Sequence, residues 1–261
     1  MPWSGTAMRL SAAGPRWVGR ALDALLPPHC ATCESPVAAQ GTLCPGCWRG
    51  LHFLGAPLCD RCGVPFLHAG QGMGGICAGC AARPPRFACA RGALRYDEGA
   101  RRLILPFKHG DRPDLARPLA AWMARAGAAQ LGRCDVILPV PLHWRRLMRR
   151  RYNQALLLAR HLGATTGLPV LPDTLRRLRA TPPLEGRGAA ERAEVLAGVF
   201  GVSARGAARV AGRRVLLVDD VMTSGATAEA CATALLAAGA TTVEVLAAAR
   251  VPDPRLERPG S

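Results

Sequence analysis

Val215-Leu-Leu-Val-Asp-Asp-Val-Met-Thr-Ser-Gly-Ala-Thr227 is the stretch that decides the fold of this 261-residue chain. Four consecutive apolar residues, followed closely by turn chemistry, predict a strand buried on both faces, as parallel strands are. Asp219 and Asp220 follow it, and Thr223, Ser224, Gly225, Ala226 and Thr227 then open a predicted helix over about 225–238. Open α/β sheets bind ligands at the carboxyl ends of their strands. Backbone N–H groups and hydroxyls at a helix N-terminus attract anions, and a glycine lets the backbone approach one closely. Two carboxylates beside an anion cradle make sense for a ligand that carries hydroxyls as well as phosphate. A ribose 5-phosphate fits, with hydroxyls donating to Asp219 and Asp220 and the phosphate resting on 223–227. The plainer reading is a strand–turn–helix whose Asp and Thr merely cap. A Walker A loop is excluded, because no Gly-Lys-Ser/Thr follows the strand.

Outward from this stretch the chain alternates strand and helix patterns, the mark of an α/β fold. Strands are predicted over 87–96, 135–139, 175–179 and 242–246, and helices over 97–107, 113–128 and 153–165. Asp97 is suited to cap the first of these helices.

The amino-terminal third has a different logic. Eight of the 11 cysteines form four Cys-x-x-Cys pairs, Cys30/Cys33, Cys44/Cys47, Cys59/Cys62 and Cys77/Cys80. This spacing lets two thiolates of one tight turn reach one metal, and four pairs make two closed tetrahedral Zn2+ sites. Sequence neighbours give the shortest assignment, but spacing also permits the first pair to join the third. A disulfide scaffold is the competing reading and would need an export signal, which residues 1–14 do not provide. His29, His52 and His68 are not needed as ligands, and Cys89, Cys134 and Cys231 read as small core residues. The expected domains are a loose tail over 1–15, an amphipathic helix plus double four-cysteine module over 16–86, an α/β domain over 87–250 and a tail over 251–261. Within the module, glycine and proline are frequent and periodicity is weak, so metal must hold it together.

Charge narrows the partners. Lys+Arg number 34 against 18 Asp+Glu, a formal net charge of +16, and Lys108 is the only lysine. Beyond residue 90 lie 27 of the basic residues and 15 of the acidic ones. Each four-thiolate zinc removes two positive charges, so the excess belongs to the α/β region and favours phosphate-bearing partners. Arg145, Arg146, Arg149, Arg150 and Arg151, flanked by Trp144 and Tyr152, suit a single-stranded nucleic acid track. Their alternatives are a solvated helix face or a pyrophosphate contact. Lys108, at a helix end, reads either as a phosphate ligand or as a cation complementing the helix dipole. His109 and His143 read as proton carriers or as ordinary surface and core residues. No apolar run reaches the length of a membrane span, and reduced zinc-binding cysteines without an export signal predict a cytoplasmic chain.

The 215–227 string resembles the phosphoribosyl pyrophosphate (PRPP) signature of type I phosphoribosyltransferases. With the cysteine module, the whole chain resembles the ComF family of competence-associated, GntX-like proteins. Tyr96-Asp-Glu-Gly, Ile104-Leu-Pro-Phe-Lys-His-Gly110, Pro139-Val-Pro-Leu-His143, Arg151-Tyr-Asn-Gln154 and Arg179-Ala-Thr-Pro-Pro183 with Arg192 also carry the resemblance, which covers about residues 16–250. Arg151 replaces a usual small residue, and Leu184-Glu185 replaces a usual Gln. The resemblance implies a parallel sheet flanked by helices, behind a double zinc ribbon. It implies that Asp219 and Asp220 hold the ribose hydroxyls and that 223–227 hold the 5-phosphate. Pro141, Leu142 and His143 would border a pyrophosphate whose charge Mg2+ shares. Lys108 would join the catalytic set, and Arg179, Thr181 and Arg192 would belong to a mobile loop that closes over the site. The implied role is a transferase or sensor of PRPP, or a PRPP-regulated single-stranded DNA-binding accessory working with DNA-uptake or recombination proteins.

Overall fold

The signature strand is one of the two inner strands of a four-stranded parallel sheet. The computed structural model describes residues 27–142, 148, 151–182 and 188–257. In chain order the elements begin with two short helices of the cysteine module, α1 (Pro45–Arg49) and α2 (Ala78–Ala82). They continue with β1 (Cys89–Arg95), α3 (Glu98–His109), a 3-10 turn Pro113–Leu115, α4 (Ala116–Ala126), α5 (Ala128–Leu131), β2 (Val136–Pro139) and α6 (Gln154–Thr166). The rest comprises β3 (Leu175–Arg177), α7 (Ala189–Leu196), β4 (Phe200–Val202), α8 (Ala204–Val210), β5 (Arg214–Met222), α9 (Ala226–Ala237) and β6 (Thr242–Arg250). The main sheet runs β1-β6-β5-β2, all parallel, while β3 and β4 form a separate antiparallel pair. Val170 extends the sheet beyond β2 by a parallel bridge to Ile137.

Side-chain alternation sorts the core into two layers. Val215 and Leu217 of β5, Val136 and Leu138 of β2 and Val243 and Val245 of β6 pack with Cys231, Ala232 and Leu235 of α9. Leu216, Val218, Ile137 and Leu246 point the other way, onto Leu103, Ile104 and Phe107 of α3, Met123 of α4 and Leu158 and Leu162 of α6. The connections after β2 and after β5 therefore leave on opposite faces. This makes the crevice between their carboxyl ends the switch point at which such sheets bind ligands.

Two strands outrun their predicted ends. β5 continues through Met222, so Asp219 and Asp220 are strand residues paired alongside Ala247–Ala249 and not part of the turn. β6 continues through Ala247-Ala248-Ala249, each fully buried. Alanine favours helix, but between two apolar layers a small side chain also fits a central strand. The predicted 175–179 strand is shorter, ending at Arg177, and the 113–128 helix is split by the turn at Pro113–Leu115.

The cysteine module is continuous with the sheet. β1 is an edge strand, and such an edge needs cover. Residues 52–61 supply it: Arg95 N–H donates to the His52 carbonyl (2.8 Å), Leu54 N–H to the Ala93 carbonyl (3.0 Å), and Ala90 N–H to the Arg61 carbonyl (2.7 Å). The first knuckle packs Ala31 and Leu51 into the α3/α4 layer, and the second packs Val64, Phe66 and its cysteines into the α9 layer. The two knuckles thus straddle the sheet edge. The described part of the expected 251–261 tail is also docked, with Val251 N–H donating to the Met222 carbonyl (2.9 Å) and Gln71 Nε2 to the Leu256 carbonyl (2.9 Å). The expected tail over 1–15 and helix over 16–26 lie outside the described residues.

Because metal holds the knuckles and the knuckles cover β1, chelation is expected to raise hydrogen exchange at the Leu54, Ala90 and Arg95 amides while Leu216 and Val245 stay protected. Unchanged protection at all five amides would separate the edge cover from the metal.

Candidate functional site

The eight cysteines converge in two sets, Cys30, Cys33, Cys44 and Cys47, and Cys59, Cys62, Cys77 and Cys80. Within each set the sulfurs lie within 4.8 Å of one another, which selects the neighbour assignment over the interleaved one. Cys33 and Cys44 Sγ are 3.6 Å apart and Cys62 and Cys77 Sγ 3.7 Å. Those separations are too long for a disulfide and match the edge of a tetrahedron with metal–sulfur bonds of about 2.3 Å. Backbone N–H groups of Cys44 and Cys77 donate to the Cys30 and Cys59 sulfurs at 3.3 Å, as thiolates require. The donor chemistry fits zinc. Cys134 and Cys231 are buried thiols; burial pushes Cys134 up to about 12 and raises Cys231 well above its ordinary value.

At its carboxyl end, β5 delivers the two carboxylates. Strand alternation turns Asp219 toward the α9 layer, where Cys231 feels its charge, and Asp220 toward α3. There Lys108, in the last turn of α3, places Nζ 3.3 Å from Asp220 Oδ1, with both side chains largely buried. A buried pair of this kind needs its partner held in place. Residues 152–154 do that holding. The Tyr152 hydroxyl donates to the Phe107 carbonyl (2.7 Å), and Gln154 Nε2 donates to the Phe107 (3.3 Å) and Lys108 (3.2 Å) carbonyls. Asn153 caps α6 through Oδ1 and donates Nδ2 to the Val140 carbonyl (3.2 Å), which ties α3 to the loop after β2. Pro141 and Leu142 continue that loop, half-buried.

Asp219 is the perturbed group. Burial and the neighbouring Asp220 charge push its carboxyl up to about 8 from an ordinary 3.8, against an opposing pull from Lys108. Its Oδ1 accepts the Asp220 N–H (2.8 Å).

The loop after β5 turns at Gly225, whose φ of +85° lies in the left-handed region. A Cβ there would also lie 3.0 Å from Met222 Cε, which a flexible methionine end can yield, so the backbone conformation is what calls for glycine. Arg192 of α7 reaches this loop, with Nη1 donating to Thr223 Oγ1 (2.9 Å). Of the other expected mobile-loop residues, Arg179 Nη2 donates to the Ala197 carbonyl (2.5 Å) and Thr181 accepts from Arg177.

Sequence reading missed Arg250. This last residue of β6 is 6% exposed, with Nε donating to the Cys62 carbonyl (3.0 Å) and Nη1 to the Met222, Thr223 and Val251 carbonyls. One buried guanidinium therefore fastens the anion loop to the second zinc knuckle. An arginine after an alanine-rich run at the end of a strand carries no signal of this in the sequence.

Of the arginine run, only Arg151 is described, and it pairs with Asp111 at 2.9 Å. Arg145, Arg146, Arg149, Arg150 and His143 lie outside the described residues.

A parallel sheet with an acidic strand end, an anion loop and a double four-cysteine module defines a phosphoribosyltransferase-type protein with a double zinc ribbon. Family models agree: residues 21–81 match a double zinc ribbon domain and residues 164–259 a phosphoribosyl transferase domain. The chain is 31% identical to the DNA utilization protein YhgH of Salmonella typhimurium, over 84% of this chain and 96% of that protein. It is 30% identical to competence protein F of Haemophilus influenzae, over 81% and 92%. The chain belongs to the ComF family of competence and DNA-utilization proteins. Among solved structures, adenine phosphoribosyltransferase of Saccharomyces cerevisiae is similar at 17% identity and a TM-score of 0.37, over 64% of this chain and 81% of that one. Glutamine PRPP amidotransferase of B. subtilis is similar at 21% identity and a TM-score of 0.38, over 56% and 30%. No helix among the described residues is long and apolar enough to cross a membrane.

A carboxyl raised in the folded state adds stability that is full below its unfolded value near 4 and is lost as pH rises through about 8. Asp219→Asn is therefore expected to raise the melting temperature by several degrees at pH 8.5 and to change it little at pH 5. An equal effect at both pH values would show that Asp219 is ordinarily ionised.

Proposed function

We propose that this protein binds PRPP at the carboxyl ends of β2 and β5 and transfers or senses its phosphoribosyl group. The observation that carries this is the Asp219-Asp220 pair, with Lys108 against Asp220, on the same strand end as a Gly225-turned anion loop. In this reading Asp219 and Asp220 take the ribose 2- and 3-hydroxyls, while Thr223, Ser224, Gly225, Ala226 and Thr227 take the 5-phosphate through N–H groups and hydroxyls. Pro141, Leu142 and His143 border the pyrophosphate, and Mg2+, when bound with PRPP, shares the pyrophosphate charge. Lys108 holds Asp220 in its orientation until a ligand hydroxyl arrives. The loop with Arg179, Thr181 and Arg192 closes over the ligand and excludes water.

Transfer breaks the bond from C1 to pyrophosphate, which leaves with the electron pair. An acceptor nucleophile bonds to C1 and gives up its proton. The ribose is oxocarbenium-like between these events, so nearby fixed charge matters more than a strong nucleophile. Titration calorimetry with PRPP and Mg2+ is expected to show binding that falls at least tenfold, about 1.4 kcal/mol, in Asp220→Asn. Equal affinity in wild type, Asp219→Asn and Asp220→Asn would sink the ribose assignment.

A second reading is supported by one further observation. Trp48 of α1, Phe53 of the inter-knuckle segment and Trp122 of α4 form a cluster with ring centroids 5.1–5.9 Å apart. Trp48 and Phe53 are 45% and 42% exposed. Exposed rings, with Arg49 next in sequence to Trp48 and Arg125 three positions after Trp122 in α4, suit base stacking. In this reading the chain is a PRPP- or nucleotide-regulated single-stranded DNA-binding accessory in the cytoplasm, working with uptake or recombination proteins, as its relatives' names suggest. Single-stranded DNA is then expected to quench tryptophan fluorescence, to lose affinity steeply with salt, and to bind Trp48→Ala several-fold more weakly. A shallower salt slope is expected after Arg149/Arg150/Arg151→Ala. Salt-independent binding, or none, would remove this reading.

A further inference from the structure

Behind the anion loop lies a cavity of about 450 Å3 that the PRPP reading leaves unfilled. Its walls come from four parts of the chain: residues 223–226 and Glu229 of the loop and α9, the second zinc knuckle with residues 83–85 and Phe87, Arg192 of α7, and residues 250–255. Asp219, Asp220 and Lys108 are not among its lining residues. The volume falls within the range of small-molecule sites, about 300–1,000 Å3.

The direction of the sugar fixes what the cavity can hold. On the reading proposed above, hydroxyls lie at 219–220 and the 5-phosphate at 223–227, so C5 points toward the cavity and C1 points away from it. An acceptor joins C1 and would lie on the far side. Whatever occupies the cavity must therefore be attached through the 5-phosphate.

The lining suits such an extension. Arg83 stands exposed at the wall with no ion-pair partner among the described residues, and Arg192 Nε is buried without an acceptor. Asp253 is already paired with Arg255 (2.7 Å), and Glu229 already accepts the Arg86 N–H (2.7 Å). Arg83 and the Arg192 Nε–H are thus the groups at the wall with donors to spare, as a second phosphate requires. Pro84, Pro85 and Pro252 supply flat apolar faces for a base, and a guanidinium such as that of Arg83 stacks on one readily. We infer that the ligand is a ribose 5-phosphate carried on through its phosphate to a second nucleoside, which lies between the anion loop and the second zinc knuckle. A nucleoside diphosphate ribose and the 3′-terminal nucleotide of a single strand, whose 5-phosphate continues to the preceding nucleoside, both have this chemistry.

This inference rests on the phosphosugar reading, and the experiment separates the two. Zinc-loaded full-length protein is titrated with ribose 5-phosphate, ADP-ribose and the dinucleotide pApA. At least one extended ligand is expected to bind about tenfold tighter than ribose 5-phosphate, a gain typical of one stacked base. ADP-ribose and pApA then distinguish the free nucleotide from the strand end. Gly79→Phe fills the cavity from the knuckle side, where a Cβ meets nothing closer than Cys77 Sγ at 3.9 Å. With zinc content unchanged, it is expected to abolish the gain and leave ribose 5-phosphate affinity within about twofold; Arg83→Ala is expected to reduce the gain. Ribose 5-phosphate binding without any gain from extension overturns this inference alone, as does a gain that both variants leave intact. Failure of all three ligands to bind overturns the phosphosugar reading with it.

Discussion

Two carboxylates side by side at the end of a buried strand repel each other, and much of the surrounding structure answers that constraint. Strand alternation separates them onto opposite faces of β5. Asp220 receives Lys108 at 3.3 Å, while Asp219, enclosed against the α9 layer, is held with its proton up to about pH 8. One acid is neutralised by a cation and the other by protonation. On the function proposed, ligand hydroxyls, which both donate and accept, match such a mixed pair.

Holding Lys108 in place takes structure from elsewhere. α3 must end at the right height, and Tyr152 and Gln154 clamp its last carbonyls from the start of α6. Asn153 ties the same corner to the loop after β2. The family-like aromatic-Asn-Gln triplet thus acts on backbone carbonyls, and its connection to the site runs through Lys108. On the other side of β5, Arg250 does the corresponding work, with its guanidinium spanning the anion loop and the Cys62 carbonyl. A metal-held knuckle, which needs no large core of its own, is thereby fastened to the loop after β5 and covers the sheet edge.

This arrangement changes the meaning of the chain's charge. The excess arginine is not spread evenly in effect: Arg250 is consumed by carbonyls, Arg151 by Asp111, and Arg133 and Arg214 by Glu244 and Asp135. The cations left facing a cavity are few, and Arg83 and Arg192 lie next to the anion loop. A high net charge is therefore a weak guide to a binding face until its ion pairs are known.

By itself, the sequence determined what depends on local spacing. The Cys-x-x-Cys pairs, the strand ending in Asp219-Asp220 and the Gly225 turn are each short patterns whose geometry follows from neighbouring residues, and the fold class follows from their order. Several features were decided only in three dimensions. Lys108 meets Asp220 across 112 positions, Arg250 meets Cys62 across 188, and Trp48, Phe53 and Trp122 arrive from three elements. The neighbour pairing of the knuckles and the strand character of Ala247–Ala249 also rest on packing against distant layers. The physical reason is the same in each case: burial and charge pairing depend on what surrounds a side chain, and spacing along the chain specifies only what is near it in sequence.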